Sequence, residues 1–213
     1  NWDMPMAYSA TNFHSEQGVL FADRVREYTD GAINITGGSI VNNGRLQLSQ
    51  RGTVNFSGGD VTGANPVRVF GTSDLTVSHD SAINFQVGNT TSLFGTLHDG
   101  QTLTVISGNS DLVVQPGFVN EGTITFDNPD ISGQSLQSAT GAPFVNASTG
   151  LLRVTRSDFQ TSIATFFQTS IDNAGTIEID AIASDSKENT LTNNGDFVVT
   201  ANGRYTRSTA GSS

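Results

Sequence analysis

The stretch IDNAGTIEI, residues 171–179, has near copies in IVNNGRLQL (40–48), FVNEGTITF (118–126) and LTNNGDFVV (191–199). All four follow one pattern: apolar, any, Asn, any, Gly, any, apolar, any, apolar. Each Asn-x-Gly predicts a tight turn, because both residues tolerate left-handed backbone angles, and the alternation after it predicts a short half-buried strand. The turn residues are Asn42 and Gly44, Asn120 and Gly122, Asn173 and Gly175, and Asn193 and Gly195. A looser copy, FVNASTGLLRV at 144–154, carries two extra residues before Gly150. Gly175 and Gly195 are 20 residues apart, while Gly122, Gly150 and Gly175 are separated by 28 and 25. Periods in that range are those of one coil of a solenoid.

Between the clear copies lie further strand-like pieces: GTVNF, VRVF, LTV, AINF, TLTVI and DLVV. Stacked coil upon coil they predict a mainly β fold, a parallel β-helix over residues 40–207. Val, Ile, Leu and Phe would face inward, and Thr, Ser, Gln and Asp would face water. Inward Asn side chains at the turns would hydrogen-bond along the stack. Regular short strands also suit a β-sandwich, which is the alternative architecture. One piece, SDFQTSIATFF at 157–167, fits either a helix opened by a Ser157/Gln160 capping box or a Thr-rich strand; its surroundings favour strand.

Composition agrees with strands and turns. Gly, Ser, Thr and Asn are abundant, and 13 Phe with many Val, Ile and Thr recur at ordered spacings, which argues against disorder. A formal charge of −10 with only 10 Lys and Arg gives no basic face for nucleic acid. The chain has no Cys, so disulfides and thiolate metal sites are excluded. No stretch reaches the length of an apolar membrane span, so no transmembrane segment is expected. No basic-then-apolar start is present, so any signal peptide is expected to have been removed or never to have existed.

The first 36 residues read differently. In NFHSEQGVLFADRVREYT (12–29), Phe13, Leu20, Phe21, Val25 and Tyr28 fall near one face at helical spacing. Asn12 suits an N-cap, and Gly31 suits a C-terminal stop. With WDMPMAY before and AINIT after, residues 1–36 are expected to form a strand-helix-strand segment that caps the solenoid. Residues 37–39, Gly-Gly-Ser, then join the two units, and 208–213 form a flexible tail.

The residues NWDMPMAYSATNFHSEQGVLFADRVREYTDGAINIT, followed by GGS, closely resemble the mature N-terminus of TRAP-transporter solute-binding proteins, the periplasmic receptors for organic acids. That resemblance implies a periplasmic α/β receptor and places Asn12 where the first strand-to-helix loop approaches ligand. The family runs through "VHPGGSL", whereas this chain passes from Thr36 directly to Gly37, and nothing after residue 40 matches the motif carrying the ligand-binding arginine. Residues 40–207 resemble, in repeat style, the β-helical passenger domains of bacterial autotransporters and related adhesins. That second resemblance implies a secreted or surface-displayed bacterial protein.

Few residues suggest chemistry. His14, His79 and His98 form no HxH or HExxH pair, and no GxSxG, Walker or Rossmann motif is present. Asp127 and Asp130 in TFDNPD are the weak catalytic candidates, since β-helical polysaccharide hydrolases place paired carboxylates on neighbouring coils. Asn128 and Pro129 also explain them as a turn. SGGD at 57–60 is one fragment of a calcium-binding nonapeptide array, so calcium is the one cofactor with any support, and otherwise none is expected. The leading reading is a non-enzymatic extracellular structural or adhesive solenoid, with self-association, other surface proteins or glycans as partners. A receptor for an organic acid and a polysaccharide-active enzyme are the alternatives.

Overall fold

The computed structural model describes residues 6–8, 13–15, 19–21, 24–27, 31–48, 51–106, 109–127, 133–156, 164–185 and 188–207. Every regular element among them is a strand, and the strands pair in parallel. The fold is a parallel β-helix, as the repeats predict. A β-sandwich is built from antiparallel pairs and is excluded by this pairing.

Three walls enclose the core. One sheet of 10 strands, among the described residues, runs from Met6–Tyr8 to Asp196–Val199 and forms one wall. The other strands belong to a 15-stranded sheet that bends along a corner. Its longer side, the second wall, includes Thr72–Val77, Asp111–Val114, Gln134–Ser138, Thr165–Gln168 and Ile182–Asp185. Its shorter side, the third wall, includes Val119–Asn120, Phe144–Asn146, Ile171–Asn173 and Leu191–Asn193.

Alternation of side chains makes each strand contribute to core and surface in turn. Thr123–Asp127 buries Ile124 and Phe126, while Thr123, Thr125 and Asp127 stay partly exposed. In register, Ile124 lies between Leu103 and Leu152, and Phe126 between Val105 and Val154. Like therefore stacks on like through the whole wall, and the core is one column-ordered cluster. Phe118 and Phe144 continue the pattern on the third wall, their rings stacked with centroids 6.2 Å apart. Each fully buried Leu, Ile or Phe contributes roughly 1.5–3 kcal/mol.

The N-terminal segment departs from expectation. In place of a helix over 12–29, the described residues there are the strands Phe13–Ser15, Val19–Phe21 and Arg24–Glu27. Register explains why: Phe13 stands opposite Ile33, Leu20 opposite Ile40 and Val25 opposite Leu46. Ile33, Ile40 and Leu46 are buried columns of the next coil. The apolar spacing that reads as one helical face is thus one apolar residue for each of three walls. These strands extend the stack toward the N-terminus instead of forming a separate strand-helix-strand cap.

The Gly-Gly-Ser junction is also revised. Residues 37–39 lie within the strand Gly31–Val41, which pairs with Arg51–Thr62 across two register shifts. Gly31 opposes Gly52, Thr36 opposes Gly58 and Ser39 opposes Asp60. TGGS and SGGD are therefore successive copies of one bulge, which carries the strand round the corner from the second wall to the third. Space dictates the glycines. A Cβ on Gly58 would sit 2.5 Å from Thr36 O, and one on Gly59, whose φ is +82°, would sit 2.8 Å from Gly38 O. The SGGD stretch read as a calcium-array fragment has this structural role.

Candidate functional site

The Asn-x-Gly turns converge on one interior line at the corner that follows the third wall. Asn120, Asn146 and Asn173 are all at most 1% exposed. Asn120 Nδ2 donates to Asn146 Oδ1 at 2.7 Å, Asn146 Nδ2 to Asn173 Oδ1 at 2.6 Å, and Asn173 Nδ2 to Asn193 Oδ1 at 2.6 Å. The same amides reach backbone carbonyls. Asn146 Nδ2 donates to Gly150 O and Thr176 O, and Asn173 Nδ2 to Gly175 O and Asp196 O. One side chain thus closes its own turn and ties the next coil, adding a donor to carbonyls that face the buried interior.

The glycines serve this line by being small. The φ angles of Gly44, Gly122, Gly150, Gly175 and Gly195 lie outside the left-handed region, so conformational freedom is not what selects them. A Cβ on Gly122 would stand 2.5 Å from His98 O, on Gly150 2.4 Å from Asn120 O, on Gly175 2.2 Å from Ala147 O and on Gly195 2.1 Å from Gly175 O.

Earlier coils use other amides at the same corner. Asn42, fully buried, donates through Nδ2 to Asn65 O and Pro66 O, both at 3.0 Å. Gln101, also fully buried, donates to His79 O at 2.6 Å and Ser81 O at 2.8 Å, and its Oε1 accepts from His98 N. Gln101 escapes the Asn-x-Gly pattern because it follows its glycine, in DGQT, and has one more methylene of reach.

Asp127 ends the strand Thr123–Asp127, in register with Ile106 and Thr155. Its backbone carbonyl accepts from Gln134 Nε2 at 3.0 Å. Asp130 and Asn12 lie outside the described residues. His79 packs edge-on to Phe56 with centroids 5.6 Å apart, and His98 Nδ1 lies 3.2 Å from Glu121 Oε2. Among the described residues no group of three or more His, Asp or Glu is placed to hold a metal ion. No helix among them is long and apolar enough to cross a membrane.

The C-terminal coils hold a polar cluster that sequence reading missed. Asp185 is 4% exposed and occupies a core column in register with Phe167 and Arg207. Asn189 Nδ2 donates to its Oδ1 at 3.2 Å, Tyr205 Oη donates to its Oδ2 at 3.3 Å, and Arg207 Nε lies 3.7 Å away. Arg207 also donates to Asn189 O. Burial, and then the neighbouring Asp185 carboxylate, push the Tyr205 hydroxyl up to about 12. In SDSKEN nothing but the strand period of IASD distinguishes Asp185 from a solvated turn acid.

No family model, curated protein or solved structure matches this chain. Function therefore has to be argued from the surfaces and ends of the stack.

Two outcomes test the interior chemistry. Asn146→Ala removes the partners of Asn173 Oδ1 and Asn120 Nδ2 along the ladder and one donor to Thr176 O, and is expected to cost about 2–4 kcal/mol in urea unfolding. Asn193→Ala, at the exposed end of the line, is expected to cost less than about 1 kcal/mol. Tyr205, with its folded value raised above the ordinary 10.0, contributes stability that is complete below pH about 10 and is lost as pH rises toward about 12. Tyr205→Phe is expected to flatten that alkaline loss in unfolding curves recorded from pH 9 upward.

Proposed function

We propose that the chain is a segment of an extracellular structural or adhesive β-solenoid, displayed on a bacterial surface or assembled into a fibre. The observation that carries this reading is the unbroken parallel stack itself, with short polar side chains repeating in register along its outer face. Strand interiors alternate buried and half-buried along the middle of the stack, as in Thr123–Asp127 and Leu151–Thr155. In Asp196–Val199 the inward positions are only half-covered or open: Phe197 is partly buried and Val199 is 43% exposed. Val198 beside it is 44% exposed, and the Asn193 amide ends the interior line with its own Gly195 carbonyl as acceptor.

Among the described residues no further strand follows Asp196–Val199 or Arg204–Arg207 in their sheets. This face offers a strand edge, half-buried apolar columns and an amide in line with the ladder. A second copy arriving head-to-tail would meet all three, and a heterologous contact of this kind propagates into a filament when it does not close into a ring. The outward columns support display. Thr102, Thr104, Thr123 and Thr125 stand in register on adjacent coils, so short polar side chains repeat at the inter-strand spacing of about 4.8 Å.

The receptor alternative rests only on the resemblance of residues 1–39, and within 12–29 the described residues are strands. The polysaccharide-cleaving alternative has Asp127 alone within the described residues.

Sedimentation velocity over a wide concentration range tests the proposal. The chain is expected to sediment as species that grow with concentration. Val199→Lys, which points a charge into the mating end as natural edge strands do, is expected to hold it monomeric. A chain that stays monomeric throughout, or a Val199→Lys variant that associates as the parent does, contradicts end-to-end assembly.

A further inference from the structure

One outward aromatic interrupts the polar surface of the second wall. The strand Thr165–Gln168, TFFQ, places Phe167 in the core at 1% exposure and Phe166 outside at 41%. The register neighbours of Phe166 are Ser135 and Ser184, so the ring stands between hydroxyl side chains on both adjacent coils. It also lies against Gly133, where a Cβ would come within 2.7 Å of Phe166 Cε2, so the glycine leaves the room that the ring takes.

Beside the ring is a solvent-open depression of about 280 Å³, bordered by Asn109, Asp111, Ser135, Phe166 and Gln168. Its polar members are held in place. Gln137 Nε2 donates to Ser135 Oγ at 2.8 Å, and Ser135 Oγ donates to Asp111 Oδ1, which orients the carboxylate with Oδ2 as the remaining acceptor. Asn109 has a left-handed φ of 57°, and its N–H donates to Gly133 O at 2.8 Å, fixing the rim of the depression to the next coil.

We propose that this depression binds a carbohydrate, with the C–H face of one pyranose ring on Phe166 and its hydroxyls on Asp111, Gln168 and Asn109. An exposed aromatic face flanked by one carboxylate and two amides offers apolar contact together with planar donors and acceptors, which is what a sugar ring requires. The volume is near the lower limit for small-ligand sites and suits one or two rings. Other occupants fit less well. Thr165–Gln168 is paired on both sides, to Gln134–Ser138 and Ile182–Asp185, so a peptide cannot add as a strand there. A formal charge of −10 and the carboxylate of Asp111 oppose phosphates and other anions. The site deepens the adhesive reading above and rests on it for a biological role, but its test is independent of assembly.

Saturation-transfer NMR on the full chain with methyl β-D-galactopyranoside, methyl β-D-glucopyranoside and N-acetylglucosamine, each at millimolar concentration, is the experiment. At least one sugar is expected to receive saturation at its ring C–H protons. Phe166→Ala should weaken that binding about tenfold, Asp111→Asn should weaken it several-fold, and Phe166→Tyr should retain it, all with unchanged melting transitions. Absence of transfer to all three sugars, or undiminished transfer in Phe166→Ala, overturns the site. Sugar binding by a chain that stays monomeric upholds the site and removes the fibre; association without sugar binding does the reverse.

Discussion

The corner after the third wall turns backbone carbonyls toward the buried interior, and a buried carbonyl without a donor costs about 1–3 kcal/mol. The amide of Asn146 donates to two such carbonyls, of which Gly150 O also accepts from Thr176 N, and its own oxygen accepts from Asn120. Because the side chain of one coil needs the turn of the next at hydrogen-bond distance, the line of amides fixes the register of neighbouring coils. Register then decides which residues meet in the core. Ile124 falls on Leu152 and Phe126 on Val154 in the same register that brings Asn120 to Asn146. Coil lengths are free to vary around this constraint, since linked asparagines lie 26, 27 and 20 residues apart.

That constraint explains what could be read from sequence. Asn120, Asn173 and Asn193 announce themselves because the asparagine and the glycine both have to be there, the first for its amide and the second for lack of a Cβ. The reason for the glycine was less legible. Its spacing suggests a left-handed turn, and only the closeness of the next coil shows that space, not φ, is limiting. The helix over 12–29 failed for a different reason. Short apolar runs do not distinguish a helical face from one residue in each of three walls, and only the pairing of Phe13, Leu20 and Val25 with Ile33, Ile40 and Leu46 resolves it.

Gly-Gly-Ser at 37–39 shows how a repeat can be mistaken for a boundary. GAINITGGS and GTVNFSGGD match position for position, and Asn34 and Asn55, 21 residues apart, hydrogen-bond through their side chains at 2.7 Å. The surface depression was legible only in part. The strand alternation in TFFQ puts one Phe out, but Asn109 and Asp111 are distant from Phe166 in sequence, and only coil stacking brings them to it. Interior and exterior thus divide the labour. Buried amides hold the coils in step, while the outward columns and the Phe166 ring face outward.

In-register stacking of coils is the central claim, and the absence of cysteine makes it directly measurable with paired spin labels. Thr53, Asp74, Ser92, Val113, Gln137 and Gln168 follow one another along one outward column of the second wall. Cysteine pairs at Thr53/Gln168 and Asp74/Gln168, read by double electron-electron resonance, are predicted to give mean separations of about 24 Å and about 19 Å, one strand spacing apart. Separations that do not lengthen by one spacing per coil would contradict the stack.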